Sequence, residues 1–349
     1  MKKQIAVIFG GQSSEHEVSC ISAANVIEGL QPDKYQVHII GITKEGSWLY
    51  VDDLQKVKDG SWKEGTTTAI ISPDRRQPGI WKMDAGQVEV IAVDVIFPVL
   101  HGLYGEDGTI QGLFEMSGIP YVGCGVLASA ASMDKISTKI FADNIGVRQA
   151  NFVSDIARDT SRMEETIAEA EEKLGYPMFV KPSNAGSSQG VSKAHNREEL
   201  RAAIELAKKH DHRVLIEENI NGREVECAVL GGQDVKASKV GEILAAAEFY
   251  DFDAKYNNQE SRTVIDPDMP EKTKEEIREN AVAIFKAVGG FGLSRVDFFV
   301  EKDTNAVIFN EINTLPGFTS ISMYPMLWEA MGVGKTELLD RVIELAYER

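Results

Sequence analysis

The chain opens on an unbroken apolar run, Ile5-Ala6-Val7-Ile8-Phe9, that stops at Gly10-Gly11. A run without alternation is what a parallel strand buried on both faces requires. Ser14 and Glu17 then stand at capping-box spacing, and Val18, Ile21, Ala24 and Ile27 recur at helical intervals. Strand, glycine turn and helix in this order begin an open α/β sheet whose ligand side lies at the turn. Residues 37–42 and 93–100 read as further apolar strands, 110–116 as a short helix, and 118–123 as one more strand closing this unit. Residues 44–90 carry Trp48, Trp62 and Trp81 in a mixed, polar setting and predict only small strands and loops.

Near residue 130 the pattern changes. Met133-Asp134-Lys135 opens a helix through Phe141, and Ser161 with Glu164 caps another that ends near Leu174. Strands at 178–181 and 191–193 flank Ser183-Asn184-Ala185-Gly186-Ser187-Ser188-Gln189-Gly190. Asn196 with Glu199 caps a helix through Lys209, and 213–218 is a strand. Beyond a linker at 219–222, residues 223–230 are strand-like, and 246–266 are aromatic and polar, long enough to be a lid. An amphipathic helix at 271–288 leads into a hairpin, 292–300 and 307–313, with Lys302-Asp303-Thr304-Asn305 as its turn. A terminal surface helix starts at Thr336. These breaks divide the chain into three domains, 1–127, 128–221 and 222–349.

Composition changes the picture in two ways. A formal net charge of −17 argues against nucleic acid or an anionic membrane as a partner, though a few local Lys and Arg residues can still hold a nucleotide. Cys20, Cys124 and Cys227 lie far apart in apolar surroundings without metal-ligand spacing, which reads as buried free thiols in a reducing cytoplasm. No run of about 18 apolar residues suggests a membrane span. At 349 residues and 43% hydrophobic, the chain has ample material for real cores.

The candidate chemistry sits where strands end. Glu311 and Asn313, two apart, project from one face of their strand, and the hairpin turn brings Asp297 close to both. Two carboxylates and a carboxamide are hard oxygen ligands suited to Mg²⁺ that also keeps waters and substrate phosphates. From spacing alone, an ordinary hairpin with a wet acidic face is the slightly favoured reading. Pro316-Gly317 turns the chain sharply and frees N–H groups to face an anion. The loop 183–190 lies inside a tight hairpin, where N–H groups and hydroxyls suit phosphate oxygens and Lys181 supplies a point charge. It is not a Walker A loop, because no Gly-Lys-Ser or Gly-Lys-Thr precedes a helix, and G-x-G-x-x-G is absent as well. Glu15 reads equally as a dipole complement in the helix's first turn or as a carboxylate aimed into the cleft. His101, among glycines at a strand end, is in a ligand-facing place, although a lone histidine commonly makes a structural hydrogen bond.

Seven stretches stand in order along the chain: Phe9-Gly10-Gly11-x-Ser13-x-Glu15-x-Glu17-Val18-Ser19; Leu100-His101-Gly102 with Gly105-Glu106-Asp107-Gly108; Met133-Asp134-Lys135; Val180-Lys181-Pro182 with Gly186-Ser187-Ser188; Phe249-Tyr250-Asp251 with Ala254-Lys255-Tyr256; Arg295-Val296-Asp297; and Asn310-Glu311-Ile312-Asn313-Thr314 with Pro316-Gly317. Together they resemble the ATP-grasp superfamily and, within it, the D-alanine–D-alanine ligases. The resemblance implies a mixed α/β, three-domain ATP-grasp fold with an N-terminal open parallel α/β sheet domain. It implies ATP as co-substrate, two Mg²⁺ (or Mn²⁺) ions, and ligation of two D-alanines through a D-alanyl phosphate. ADP and phosphate would leave, and the product would serve peptidoglycan precursor synthesis in the cytoplasm. A homodimer is implied too.

Residue by residue, the resemblance implies that Glu15 holds the first substrate's ammonium, steadied by Ser187 and Tyr256. His101 would sit near that substrate's carboxylate, with Ser322 in the substrate stretch Ser322-Met323-Tyr324-Pro325. Arg295 and the Gly317 N–H would stabilise the oxyanion. Lys135, Lys181 and Lys255 would contact phosphates beside Ser187 and Ser188, with Phe179 in the ATP pocket. Glu217 and Glu224 would take the adenine amino group and the ribose, and Asp297, Glu311 and Asn313 the metal ions. Lys255-Tyr256 replaces the lid histidine of D-lactate ligases, which favours an amine acceptor. A D-serine or D-lactate acceptor with the same machinery is the alternative. Residues 44–90 are longer than in the shortest family members, a difference expected at the first domain's surface. A nucleotide sensor that had lost catalysis would lack a metal ligand or the oxyanion arginine, and neither is missing.

Overall fold

The computed structural model describes residues 1–244 and 262–349. The first apolar run forms β1 (Lys3–Gly10), and helix α1 (His16–Gly29) follows its glycine turn. β2 (Tyr35–Ile42) pairs with β1 in parallel. The segment read only as small strands and loops supplies β3 (Trp48–Val51), the short helix α2 (Leu54–Asp59), β4 (Thr68–Ile71), β5 (Ile80–Asp84) and β6 (Gln87–Ile91). These strands extend the sheet antiparallel beyond β2, while β7 (Val95–Leu100) takes the other flank of β1 in parallel. β1 is fully enclosed from Ile5 to Phe9 because it has parallel neighbours on both edges and packing on both faces. The segment 44–90 does more than decorate the surface: Trp62 is buried and meets the Phe9 ring edge-on at 4.8 Å. Residues 118–123 contribute only a bridge from Tyr121 to Ile96 rather than a full strand.

Helices α3 (Thr109–Ser117), α4 (Val126–Met133) and α5 (Lys135–Asn144) carry the chain to the second sheet. There β8 (Phe152–Asp155), α6 (Met163–Lys173), β9 (Met178–Pro182), β10 (Ser192–Ala194), α7 (Arg197–Ala207) and β11 (Val214–Glu218) build an antiparallel sheet ordered β10-β9-β11-β8. Its core is its own, drawn entirely from residues 153–216. The third sheet, ordered β14-β13-β12-β15-β16, comprises β12 (Gly222–Gly231), β13 (Val235–Leu244), β14 (Arg262–Ile265), β15 (Gly292–Glu301) and β16 (Val307–Asn313). Helix α8 (Glu271–Ala287) covers one face with Ile277, Ala281, Ile284 and Phe285 buried.

The chain ends in α9 (Met323–Glu329) and α10 (Lys335–Leu345). The expected surface helix is instead a core element: Leu338, Leu339, Val342 and Ile343 are buried in one cluster with β1, α1, Tyr324, Trp328 and Leu230. Its Asp340 accepts from Gln31 Nε2 (2.9 Å), Lys34 Nζ (2.6 Å) and the Tyr35 hydroxyl (2.7 Å).

Two caps differ from expectation. The Ser14–Glu17 box does not form; Glu15 is the N-cap, and Ser13 takes the hydroxyl role, accepting from Glu15 N while donating to the His101 carbonyl at 2.6 Å. Glu17 points to solvent and pairs with Lys44 instead. Arg162, not Ser161, precedes α6, and Glu164 pairs with Arg197 and Arg201. The Asn196–Glu199 box is formed as read, Asn196 accepting from Glu199 N (3.0 Å) and Glu199 from His195 N (2.8 Å).

Candidate active site

The hairpin of β15 and β16 sets the site's chemistry. Asp297 lies directly opposite Glu311 and Arg295 opposite Asn313. An irregularity just past Asp297 sets Phe298 against Phe309, so Asn310 is the extra residue that lets Glu311 face Asp297. On the other side of β15, Glu226 of β12 is also paired with Asp297. Three carboxylates, Glu226, Asp297 and Glu311, therefore stand in a row across three strands. Glu226 is a residue that the sequence reading missed.

Arg295 crosses this row. Its Nε and Nη2 donate to the two Asp297 oxygens at 2.8 and 2.7 Å, and Asn313 Nδ2 donates to Oδ2 at 3.0 Å. Burial pushes Asp297 up to about 7; Arg295 opposes that rise, and Glu226 and Glu311 add to it. Burial is the larger cause of that rise; separately, three carboxylates face one guanidinium across these strands. With hard oxygens as donors, the row suits a divalent cation. The Asp297, Glu311 and Asn313 set passes this chemical test.

The second sheet supplies cations. Lys181 on β9 contacts Glu217 on β11 at 2.6 Å, and Lys139 of α5 contacts the other Glu217 oxygen at 2.6 Å. Lys139, a further residue missed in the sequence, is almost fully buried, with its ammonium 5.2 Å from the Phe152 ring centroid. Although burial opposes it, the two lysines hold Glu217 down to about 2. Burial likewise opposes the charge on Lys181, yet Glu217, Glu311 and Glu224 raise it. Lys135 donates to the Ala185 carbonyl at 2.9 Å and lies 3.5 Å from Glu311, tying loop 183–191 to the hairpin. Within the loop Ser187 and Ser188 adopt φ of 51° and 56°, a left-handed pair that turns successive N–H groups toward one side.

Glu15 sits where all three sheets meet. A Cβ added to Gly102 would lie 2.9 Å from Glu15 Oε2, and one on loop residue Gly186 would lie 3.2 Å away. At Gly102, where φ is +67°, a side chain would be strained as well as crowded against that carboxylate. Behind it, His101 Nδ1 donates to the Leu315 carbonyl (2.9 Å), and its Nε2 accepts from Ser22 Oγ (3.3 Å), the hydroxyl that itself accepts from Phe318 N. Glu106 joins the same seam, accepting from Gly102 N and Leu315 N, each at 2.9 Å. Burial, with Glu15 nearby, pushes Glu106 up to about 7. The Ser322 hydroxyl bonds within its own turn to Thr319 N at 2.9 Å and faces Gly317.

A cavity of about 600 Å³ opens between these elements. Glu15, Lys135, Phe179, Lys181, Ser187, Ser188, Glu217, Glu224, Arg295, Asp297, Glu311 and Asn313 all line it. His101, Gly317 and Ser322 lie in the seam behind Glu15. Lys255 and Tyr256 fall outside the described residues.

Two antiparallel sheets meeting over a serine- and glycine-rich loop flanked by lysines and over an acidic hairpin, with a mixed α/β sheet closing the cavity, define an ATP-grasp enzyme. Residues 4–124 match the family model described as D-ala D-ala ligase N-terminus, and 141–344 the D-ala D-ala ligase C-terminus model. The chain belongs to the D-alanine–D-alanine ligase family. The D-alanine–D-alanine ligase of Acetivibrio thermocellus is 53% identical over 100% of this chain and 96% of its own. That of Clostridium acetobutylicum is 48% identical over 100% and 99%. Among solved structures, the VanG D-Ala:D-Ser ligase from Enterococcus faecalis superposes with a TM-score of 0.89 at 39% identity, over 99% of this chain and 100% of its own. The D-alanine-D-alanine ligase from Coxiella burnetii gives 0.86 at 36% identity, over 100% and 94%.

Proposed function

We propose that this protein joins two D-alanine molecules into D-alanyl-D-alanine at the expense of ATP, for peptidoglycan precursor synthesis in the cytoplasm. The observation that carries the reading is the meeting of Glu15, loop residue Gly186 and the Lys135–Glu311 pair around one cavity. On this reading, the residues that would hold an amino-acid ammonium, a triphosphate and a metal ion line a single chamber. The chain's names among its relatives point to D-alanine as acceptor, and D-serine remains the acceptor named for one structural neighbour. The working division of the chain is 1–127 for the first substrate, 128–221 for the phosphate loop and 222–349 for the metal site and lid, and the working assembly is a homodimer.

In the first step a carboxylate oxygen of the first D-alanine attacks the γ-phosphorus, the bond to ADP breaks, and D-alanyl phosphate forms. Glu15 holds the ammonium, and Lys135, Lys181 and Lys255, with Ser187 and Ser188, bind phosphate oxygens. Phe179, Glu217 and Glu224 line the nucleotide's end of the cavity. Asp297, Glu311 and Asn313 would hold two Mg²⁺ or Mn²⁺ ions, which supply neutralisation of charge on the transferring phosphoryl group. The second D-alanine, its ammonium having lost a proton to water, attacks the acyl carbon through its amine, and the proton shed as the amide forms leaves with the departing phosphate. Arg295 and the Gly317 N–H receive the negative charge on the carbonyl oxygen, and phosphate departs as the amide forms. His101 and Ser322 shape the substrate seam, and Tyr256 steadies Glu15. Closing the chamber keeps the acyl phosphate from water.

Phosphate release from ATP, with D-alanine alone and with D-serine or D-lactate offered beside it, tests the reading. Turnover with D-alanine alone is the expected result; turnover only when D-serine or D-lactate is added overturns the acceptor assignment. Gly102→Ala is a finer probe. With φ at +67°, a methyl costs roughly 1–2 kcal/mol of folding stability, and its Cβ displaces the Glu15 carboxylate, so the KM for D-alanine should rise while thermal stability falls. An unchanged KM here and in Glu15→Gln would remove Glu15 from the ammonium site.

A further inference from the structure

Glu226 has no part in the reaction as described above, yet it is buried beside the residues that do. It occupies the β12 position opposite Asp297, and Ala228, opposite Arg295, leaves room for the long guanidinium to lean along the strand. Arg295 Nε lies 3.1 Å from Glu226 Oε2. No hydrogen bond forms there, because that N–H is spent on Asp297 Oδ1 at 2.8 Å, and among the described residues Glu226 Oε2 is left buried without a donor. Asp297 meanwhile receives three N–H groups, two from Arg295 and one from Asn313. The row thus holds one oversupplied carboxylate beside one undersupplied one, with the same guanidinium in reach of both. A buried carboxylate oxygen without a hydrogen bond is expensive unless it serves another state of the site.

We propose that Glu226 is a positioning residue for Arg295, receiving its guanidinium when the Asp297 oxygens turn to a divalent cation. Arg295 and Asn313 together take three of the roughly four lone-pair sites on the Asp297 carboxylate, so a metal competes with the guanidinium for these oxygens. A small rotation transfers the Nε–H to Glu226, and the terminal nitrogens are then free to face the oxyanion of the second step. The inference rests on the ligase reading for its catalytic consequence, but the handover itself is a property of the protein and Mn²⁺ alone.

The test is a double-mutant cycle read by Mn²⁺ binding to the substrate-free protein, followed by electron paramagnetic resonance. Glu226→Gln should weaken Mn²⁺ about tenfold in the wild-type background, the worth of one charge-assisted hydrogen bond. In an Arg295→Met background the same change should alter affinity by less than about threefold. Arg295→Lys, which keeps the charge but cannot donate from a planar fork, serves if the Met variant fails to fold. Equal losses in both backgrounds would make Glu226 a direct ligand or a plain charge and overturn the proposal; so would no loss in either. In the ligation assay, Glu226→Gln should lower kcat about 10- to 100-fold with the KM for ATP little changed, and Glu226→Asp should recover part of the rate. A wild-type protein without ligase activity would strike the functional reading while the Mn²⁺ cycle still judges Glu226.

Discussion

Exchanging Glu311 for Gln is expected to lower kcat by about 10³-fold or more while the fold stands. The substitution keeps the side chain's shape and one carbonyl oxygen but removes the charge facing Asp297 across the hairpin. Glu311 is a third exposed and lies 3.5 Å from Lys135, a separation at which an ion pair stabilises by under about 1 kcal/mol. Thermal unfolding should therefore shift little in the absence of ligands. The stabilisation that Mg²⁺ with ADP gives the wild-type protein should largely vanish, since it depends on differential binding to the folded state. Full activity in the Gln variant would remove the metal assignment from this hairpin.

The second large effect falls on stability. Lys139→Met leaves Glu217 buried with Lys181 as its remaining ammonium partner. Removing one partner of a buried pair typically costs about 3–5 kcal/mol, because the survivor's charge is no longer balanced. The pH dependence has a definite sign. Glu217 sits at about 2 in the folded protein against 4.5 for an unperturbed carboxyl, so between those values the unfolded chain binds more protons. The stabilisation is complete above about pH 4.5 and is lost as pH falls toward 2. Without Lys139 the folded value must rise, and acid unfolding should begin at higher pH. A variant matching the wild type in both urea unfolding at pH 7 and its acid transition would show that Lys139 is not what holds Glu217.

Where the signal is local, the chain announces its structure. The run Ile5–Phe9, the Asn196–Glu199 box and the β15–β16 hairpin each depend on neighbours a few residues apart, and each forms as its pattern implies. That Asp297 faces Glu311 directly needs more than the turn, because the extra residue Asn310 shifts the register by one, and nothing local announces that irregularity. What escaped depends on register between distant strands. Glu226 alternates with Val225 and Cys227 beside Glu224, a hint that two acids share a face, but nothing local places that face against Asp297. Lys139 stands four residues after Lys135 and so on the same side of α5, yet its burial is set by Glu217, far along the chain. The two missed caps failed differently: at Ser14–Glu17 a neighbouring serine met a tertiary partner, His101, whereas Ser161 bonds locally to Asp159 and Glu164 is drawn to Arg197 and Arg201.

Asp340 grips three side chains of the opening unit, and a single apolar cluster runs from β1 through α10 into β12. The beginning and the end of the polypeptide are thereby fused into a rigid chassis, while the β8–β11 sheet keeps a separate core. The β8–β11 sheet borders the chamber through loop 183–191 but takes no part in that frame's packing. Shortening the last helix would strip buried Leu338, Leu339, Val342 and Ile343 from the shared cluster and loosen the first and third units together.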